Sequence, residues 1–449
     1  MLSRLCHTGN GRLWLASLAA LPLYVASAEL SVPGGPAAPP SMQGEKSMSR
    51  LEITVGPTAP AAVVGSGHLA LQSAVDYVAA RGGGTVRVLA GTYEMGNSLF
   101  LRDGVRVAGA GDATVLHKCD AATTPLTANI DWYEEAVQVK DPSPFSVGGG
   151  IWIEGVSPFH EGRKQIAKRT VVAIEGDTIH LDKALRDDYW LEPGAQASTA
   201  FPVITAEYVN DVTVESLAID GNRLHNPHLD DNHTGAIFIQ DCDRMTFRNL
   251  TIHDYNSDGI SAQICDDLVV EGCRISHCAD LGIHPGSGCQ RPRMVNNTVR
   301  GCSQGIFFCW GVRYGLAEGN TIEDSLRYGI SIGHRDTDNV VRGNTIRRSA
   351  EVGVLFRTDR GVGRSPDRCV LEGNLIEDSG LKGDGVAVDL TGVAEDLVIR
   401  GNRLVDTRPA SPERRRLGIR IAPGVLRPLL EGNVCQGLDL DLLDQRSAK

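Results

Sequence analysis

Residues 243–336 read DRMTFRNLTIHDYNSDGISAQICDDLVVEGCRISHCADLGIHPGSGCQRPRMVNNTVRGCSQGIFFCWGVRYGLAEGNTIEDSLRYGISIGHRD. Two series of residues run through and beyond this stretch at one period. Asn249, Cys273, Asn297, Asn320 and Asn344 follow one another at steps of 24, 24, 23 and 24, each just before a short apolar run. Gly235, Gly259, Gly282, Gly305, Gly329 and Gly353 follow at steps of 24, 23, 23, 24 and 24, each before Ala or an aliphatic residue. Two markers locked to one period describe one unit copied many times, which is a solenoid.

The unit is β. The apolar runs are short, β-branched and alternate with polar residues, as in Val269-Val270-Glu271-Gly272-Cys273-Arg274-Ile275, whereas a leucine-rich repeat needs a dense Leu frame and usually a helix. Gly, Asn, Asp and Ser between the runs make turns. A repeat of this length holds three short strands and three turns, so the fold class expected is all-β: a single-stranded parallel β-helix of roughly ten coils. Asn at one turn of each coil would stack as a ladder whose amides satisfy turn backbone that is otherwise buried unpaired.

Composition narrows the class. Formal charge is −11, from 44 Lys and Arg against 55 Asp and Glu, which argues against a nucleic-acid partner. Aromatics are 5%, which suits a stacked core of Val, Ile and Leu. Residues 1–28 read as a secretory signal: Arg4 and Arg12, an apolar Leu13–Val25, then Ala26-Ser27-Ala28. That implies a secreted or periplasmic protein, unless translation starts at Met48. No later segment is long and apolar enough for a membrane span. Cys242, Cys265 and Cys289 share one slot of the repeat and Cys278 and Cys302 another, so stacked free thiols are expected rather than disulfides or a Cys-ligated metal. Oligomeric state leaves no mark on the sequence.

Taken in order, 29–60 is a Pro/Gly/Ala-rich linker and 61–449 the β-helix. Within it, 61–118 is the opening cap, with an amphipathic helix over Leu69–Ala80 (Leu71, Ala74, Val75 and Val78 on one face). Residues 119–205 break the period and read as a small β insertion. Regular coils fill 206–436, with longer inserts at 357–368, 379–384 and 406–417. Gly109-Ala110-Gly111 is no dinucleotide loop, because no helix starts after it.

Strand alternation puts Ser261, His284, Phe307, Ser331 and Leu355 in one outward row, with Gln263, Gly286, Cys309, Gly333 and Arg357 beside it and Trp310, His334 and Arg335 just beyond. This strip is expected to be a solvent-facing groove. Gln263, Phe307, Trp310, His334 and Arg335 would bind sugar rings and acidic groups there; alternatively a loop covers Phe307 and Trp310 as satellite core. Asp258 and Asp280 lie in turns beside the strip, where Asp before Gly also serves as a simple turn former. The loop 220–234 carries His228, Asp230, Asp231 and His233, a possible site for Ca2+ or another divalent cation, although the spacing matches no standard motif. Otherwise no cofactor is expected.

The repeats from about 205 to 436, with the opening segment 61–118, resemble the right-handed parallel β-helix (pectin-lyase-like) family that includes pectate lyases, polygalacturonases and mannuronan epimerases. NSDGISAQICDDLVVEGCRISHCADLGIHPGSG is similar to the polygalacturonase pattern: Asp258 matches its first carboxylate and Asp280 one of its pair, while Ser303-Gln304-Gly305 stands where Gly-His-Gly belongs. LGIHPGSG resembles the Asp-Pro-His-Asp box of mannuronan epimerases, with His284 at the first Asp and Gly286-Ser287 in place of His-Asp. The resemblance implies a carbohydrate-active enzyme with a polysaccharide substrate containing uronic acids, acting by lyase or epimerase chemistry. The alternatives are a glycoside hydrolase with a degenerate motif and a non-catalytic polysaccharide-binding or surface-assembly β-helix. On a uronate, Arg357 or Arg335 would hold the carboxylate, His284 would be the base, and Asp258 would orient the imidazole or act as acid.

Overall fold

The structure, a computed structural model, describes residues 51–446 except 157–163, 193, 230–232, 358–362, 383 and 412–414. The expected leader, Met48, the first part of the linker, and Asp230 and Asp231 lie outside the described residues.

The chain winds into coils that each give one strand to three parallel sheets of thirteen, eleven and eleven strands. Thr246–Arg248, Thr251–His253 and Asp258–Gln263 make one coil; Val269–Glu271, Arg274–Ser276 and Leu281–Gly286 make the next. Inward positions then stack on their own equivalents. Ile219, Ile252, Ile275, Val299, Ile322, Ile346, Ile376 and Leu404 form one unbroken buried column. Each such side chain contributes about 1.5–3 kcal/mol by leaving water.

The polar ladder runs through Asn297, Asn320, Asn344, Asn374, Asn402 and Asn433. Asn320 shows the unit: Asn344 Oδ1 accepts both its backbone N–H (2.9 Å) and its Nδ2 (2.8 Å), and Nδ2 also donates to Met294 O at 2.9 Å. At its upper end the ladder stops on Cys273, whose N–H donates to Asn297 Oδ1 at 3.0 Å. Asn249 is not a member, contrary to the sequence expectation. It is exposed at φ +53°, and Leu250 pairs into the ladder slot instead, because Thr251 lies opposite Arg274. Asn249 belongs to a neighbouring turn column with Gly272, Asn296, Gly319 and Gly343, all left-handed, where Gly and Asn are the residues of least strain. Gly235 slips in the same way. It pairs with Asp258, and Ala236 fills the slot of the marker glycines. That slot needs a small residue because a Cβ at Gly282 would lie 2.3 Å from Val299 Cγ1 and 2.6 Å from Gly305 O.

A helix, α1 (His68–Ala79), covers the first coils with Leu71, Ala74, Val75 and Val78 buried against the core. The insertion is a six-stranded antiparallel sheet between Thr123 and Ser198 with its own apolar core around Ile151, Ile153, Val171, Ile179 and Tyr189. All ten described cysteines are free thiols. Among the described residues no helix is long and apolar enough to cross a membrane.

A second left-handed turn column lies on the surface: Asp211, Arg244, Asp267, Arg291, Tyr314, Asp338, Arg368, Asp396 and Arg427. It pairs in twos, Arg244 with Asp211 (2.6 Å), Arg291 with Asp267 (2.7 Å), Arg368 with Asp338 (2.7 Å) and Arg427 with Asp396 (2.8 Å).

The two asparagine environments predict opposite sensitivities. Asn320→Ala strips the partners from Asn297 and from Met294 O inside the stack, so the chain is expected to lose about 1–3 kcal/mol. Asn249→Gly keeps the left-handed turn and is expected to shift stability by under about 0.5 kcal/mol. Urea denaturation of both variants checks the pair, and equal losses would remove Asn320 from the ladder.

Candidate functional site

The third sheet carries longer strands than the other two, and their outward residues are chemically mixed. Thr205, Phe238, Ser261 and His284 lie opposite one another on successive coils, and Phe307, Ser331, Leu355, Asp389 and Arg420 continue the row. Edge-to-face packing of His284 on Phe307, with centroids 5.3 Å apart, joins the two parts.

The row is not the open face expected from the sequence. Ser261, Gln263, His284 and Ser331 are all at most 5% exposed. The insertion and the loop after Asp220 cover the row's first members. Lys168 of the insertion sits 3.6 Å from the Phe238 ring centre and donates to His233 O at 3.0 Å. Leu229 of the loop packs with Trp152 of the insertion, and Thr234 Oγ1 bonds to the Tyr255 hydroxyl at 2.9 Å. Strand alternation reports which side of a sheet a residue faces, but not what a distant segment lays over it.

Asp258 and His284 come together on this floor. His284 Nδ1 lies 2.8 Å from Asp258 Oδ2, and Asp258 Oδ1 accepts the Leu281 N–H at 2.9 Å. Both side chains are at most 1% exposed. A carboxylate acceptor places the ring proton on Nδ1, so that in the neutral ring Nε2 holds the lone pair. Gln263 Nε2 donates to Ser261 Oγ at 3.2 Å. Gly286 makes room for both groups: a Cβ there would lie 2.7 Å from Gln263 Oε1 and 2.9 Å from His284 Nε2.

Arg357 folds back over Phe307 from later in the chain. Its guanidinium carbon lies 4.2 Å from the ring centre, Nη1 donates to Ser331 Oγ at 2.7 Å, and Nη2 donates to Phe308 O at 2.7 Å. Gly333 permits this, because a Cβ there would meet Arg357 Nε at 2.6 Å. Behind the arginine lies Asp336, fully buried, 3.4 Å from Nη2. Its oxygens accept the N–H groups of Gly311 (2.8 Å), Val312 (2.9 Å) and Gly333 (2.8 Å). Burial pushes this carboxyl up to about 6, against the downward pull of Arg357 and the three amides. Asp336 escaped the sequence reading because an Asp in a turn, without periodic equivalents, looks like any turn former.

The remaining candidates spread outward. Trp310 is 55% exposed and stacks on His334 with centroids 4.1 Å apart. Arg335 is exposed beside them. Asp280 does not join Asp258; its carboxylate takes His228 Nε2 at 2.8 Å. Of the loop residues considered for a divalent cation, His228 is thus bonded to Asp280, His233 meets Lys168 through its carbonyl, and Asp230 and Asp231 lie outside the described residues. Among the described residues, no three His, Cys, Asp or Glu side chains converge as a metal site.

A family described as right handed beta helix region matches residues 205–346 and, overlapping, 235–409. The chain is a right-handed parallel β-helix. Solved structures share the fold. The A-module of mannuronan C-5 epimerase AlgE4 from Azotobacter vinelandii is 17% identical, with a TM-score of 0.52 over 84% of this chain and 92% of that chain. The AlgE6 A-module from the same organism is 15% identical, with a TM-score of 0.52 over 84% and 91%. PfbA, a surface adhesin of Streptococcus pneumoniae, is 12% identical, with a TM-score of 0.50 over 84% and 89%. At these identities the likeness shows the β-helix fold. No curated protein matches the chain by sequence.

The titration of Asp336 is measurable. In the unfolded chain the carboxyl ionises near 3.8, whereas in the β-helix it keeps its proton up to about 6. The folded state is therefore favoured by this group below about pH 4 and loses that advantage as pH rises through the window, by about 3 kcal/mol. Wild-type stability, taken relative to Asp336→Asn, is expected to fall over this range and to level off above it. Denaturation midpoints at stepped pH check this, and a flat difference would overturn it.

Proposed function

We propose that the chain is an exported, carbohydrate-active β-helix that acts on a uronic-acid-containing polysaccharide, by lyase or epimerase chemistry at the Asp258–His284–Arg357 cluster. The observation that carries this reading is the gathering of a hydrogen-bonded carboxylate–imidazole pair and an arginine around one phenyl ring, Phe307, from three separate coils. Removing the proton on the carbon α to a uronate carboxylate requires a base at that carbon and a cation on the carboxylate. His284 fits the first role, with Asp258 holding the tautomer and stabilising the imidazolium. Arg357 fits the second, its guanidinium fork suited to a carboxylate.

The lyase form needs one residue for both proton steps. His284 takes the C5 proton, the C4–C5 double bond forms as the C4–O4 bond breaks, and the imidazolium returns the proton to the departing O4. Epimerisation needs a second donor on the opposite face of the ring to reprotonate C5.

The depth of His284 favours a second reading, in which the chain binds polysaccharide without turnover. There the exposed Trp310–His334 stack and Arg335 would be the contact surface, and Asp258–His284 a buried brace.

His284→Asn separates the two, since the amide N–H of Asn can replace Nδ1–H toward Asp258 while the basic nitrogen is lost. The expected result is an unchanged fold by circular dichroism and a loss of about a hundredfold or more in formation of unsaturated uronate or of inverted C5 centres. Turnover within about tenfold of wild type would overturn the role of His284. Wild type that binds uronate polymer and turns over none would establish the second reading.

A further inference from the structure

The insertion and the first coils enclose a cavity of about 520 Å³ that the cluster around Phe307 does not use. Its walls carry five cationic side chains, Arg102, Lys168, Arg169, Lys183 and Arg186, against Asp182, Asp187 and Glu207. Phe100 and Thr205, which pair in register, also line it. They are the first outward members of the same row that leads through Phe238 and Ser261 to His284. The cavity therefore lies at the upper end of that row, three coils from the imidazole, roughly 14 Å at the strand spacing, with Lys168 over Phe238 and the buried Ser261 between the two.

The cations differ in how they are held. Arg169 spends its donors on backbone, reaching Lys168 O (2.8 Å), Lys183 O (3.1 Å) and Ala184 O (3.0 Å). It thereby fastens the segment that presents Lys183 and Arg186, both exposed, at the rim. Neither has an ion-pair partner among the described residues; Arg186 only overhangs the Tyr133 ring, at 5.7 Å. Lys168 is mostly buried, with Glu207 no closer than 3.9 Å, and burial lowers its ammonium to about 8. Tyr189 adds a second signal: it lines the cavity, and its buried hydroxyl has no hydrogen-bond partner among the described residues. Buried hydroxyls seldom go unpaired, and a site that concentrates cations around one invites an oxygen-rich anion.

We infer that this cavity is a separate subsite for a carboxylated sugar unit of the polysaccharide, beyond the covered stretch of the row, with Lys183 and Arg186 as its anion contacts. The inference rests on the uronate reading above and extends it to a second place on the molecule. Its half-buried Phe100 offers an apolar surface to the sugar ring, while the cations select units that keep their carboxylate.

The test is calorimetric binding of an oligogalacturonate and an oligomannuronate long enough to span the groove, each with its methyl ester, to wild type and to the Lys183→Ala/Arg186→Ala double variant. Both substituted positions are on the surface, so the fold should persist, and circular dichroism checks that. For whichever acid form binds, the double variant is expected to bind about tenfold or more weakly, with a shallower dependence on salt. The esters should bind both proteins alike. If the double variant binds the acid form within about twofold of wild type while Arg357→Ala weakens it, the subsite is wrong and the groove reading stands. If neither acid nor ester binds wild type, the subsite and the uronate reading fail together.

Discussion

Inside a stack of parallel coils, every side chain rests on its own equivalent from the coils above and below. Only a few residue types tolerate such company. Aliphatics interlock, thiols pack, and asparagine bonds to asparagine, whereas like charges or rigid polar groups would be forced together without water. The Ile252–Ile275–Val299 column and the asparagine ladder both follow this rule. The outward row of the third sheet is released from the rule, and there the equivalent positions become Ser, His, Phe, Ser, Leu, Asp and Arg. The same constraint that makes the core monotonous makes the departure from monotony informative.

It also dictates how a site is assembled. Neighbours in the groove are a full coil apart in the chain, so Asp258, His284 and Phe307 each come from a different turn of the helix. Arg357 returns from farther on to close the group. Backbone spacing between coils is fixed by hydrogen bonding, and it is the glycines at 286 and 333 that give the long side chains room to converge. The strand ladders, rather than loops, thus hold the dyad at 2.8 Å, and its burial makes each charge there count for more than it would in water.

The sequence reveals period, strand class, cap helix and outward row because all of these are local or repetitive. Where two markers compete, it misleads. Asn249 looks like a ladder member because Asn suits both the ladder and the adjacent left-handed turn; only the pairing of Thr251 with Arg274 separates the two columns. The loop 220–234 enters just before the coil of Gly235 and so is expected to overhang the strip, but the depth of Ser261 and His284 is not legible, because alternation gives a side of the sheet and not its exposure. The joint surroundings of Asp336 and Arg357 are likewise a product of folding back, and so is the cavity beside Tyr189. Period reports what repeats, and the chemistry of this molecule lies where the repeat is interrupted.

The surface column, in which Asp and Arg alternate on either side of Tyr314, bears on how the chain finds its fold. Solvent-exposed pairs of this kind add little to stability, yet their order along the helix is not neutral. A coil that docked after skipping one would still lay Ile on Ile in the Ile252 column and strand on strand, so that column offers little discrimination. Outside, however, that skip would set Asp211 beside Asp267 and Arg244 beside Arg291. Like charges brought together this way would repel, most strongly at low ionic strength, so the order of the surface column would disfavour such a skip between Asp211 and Arg291.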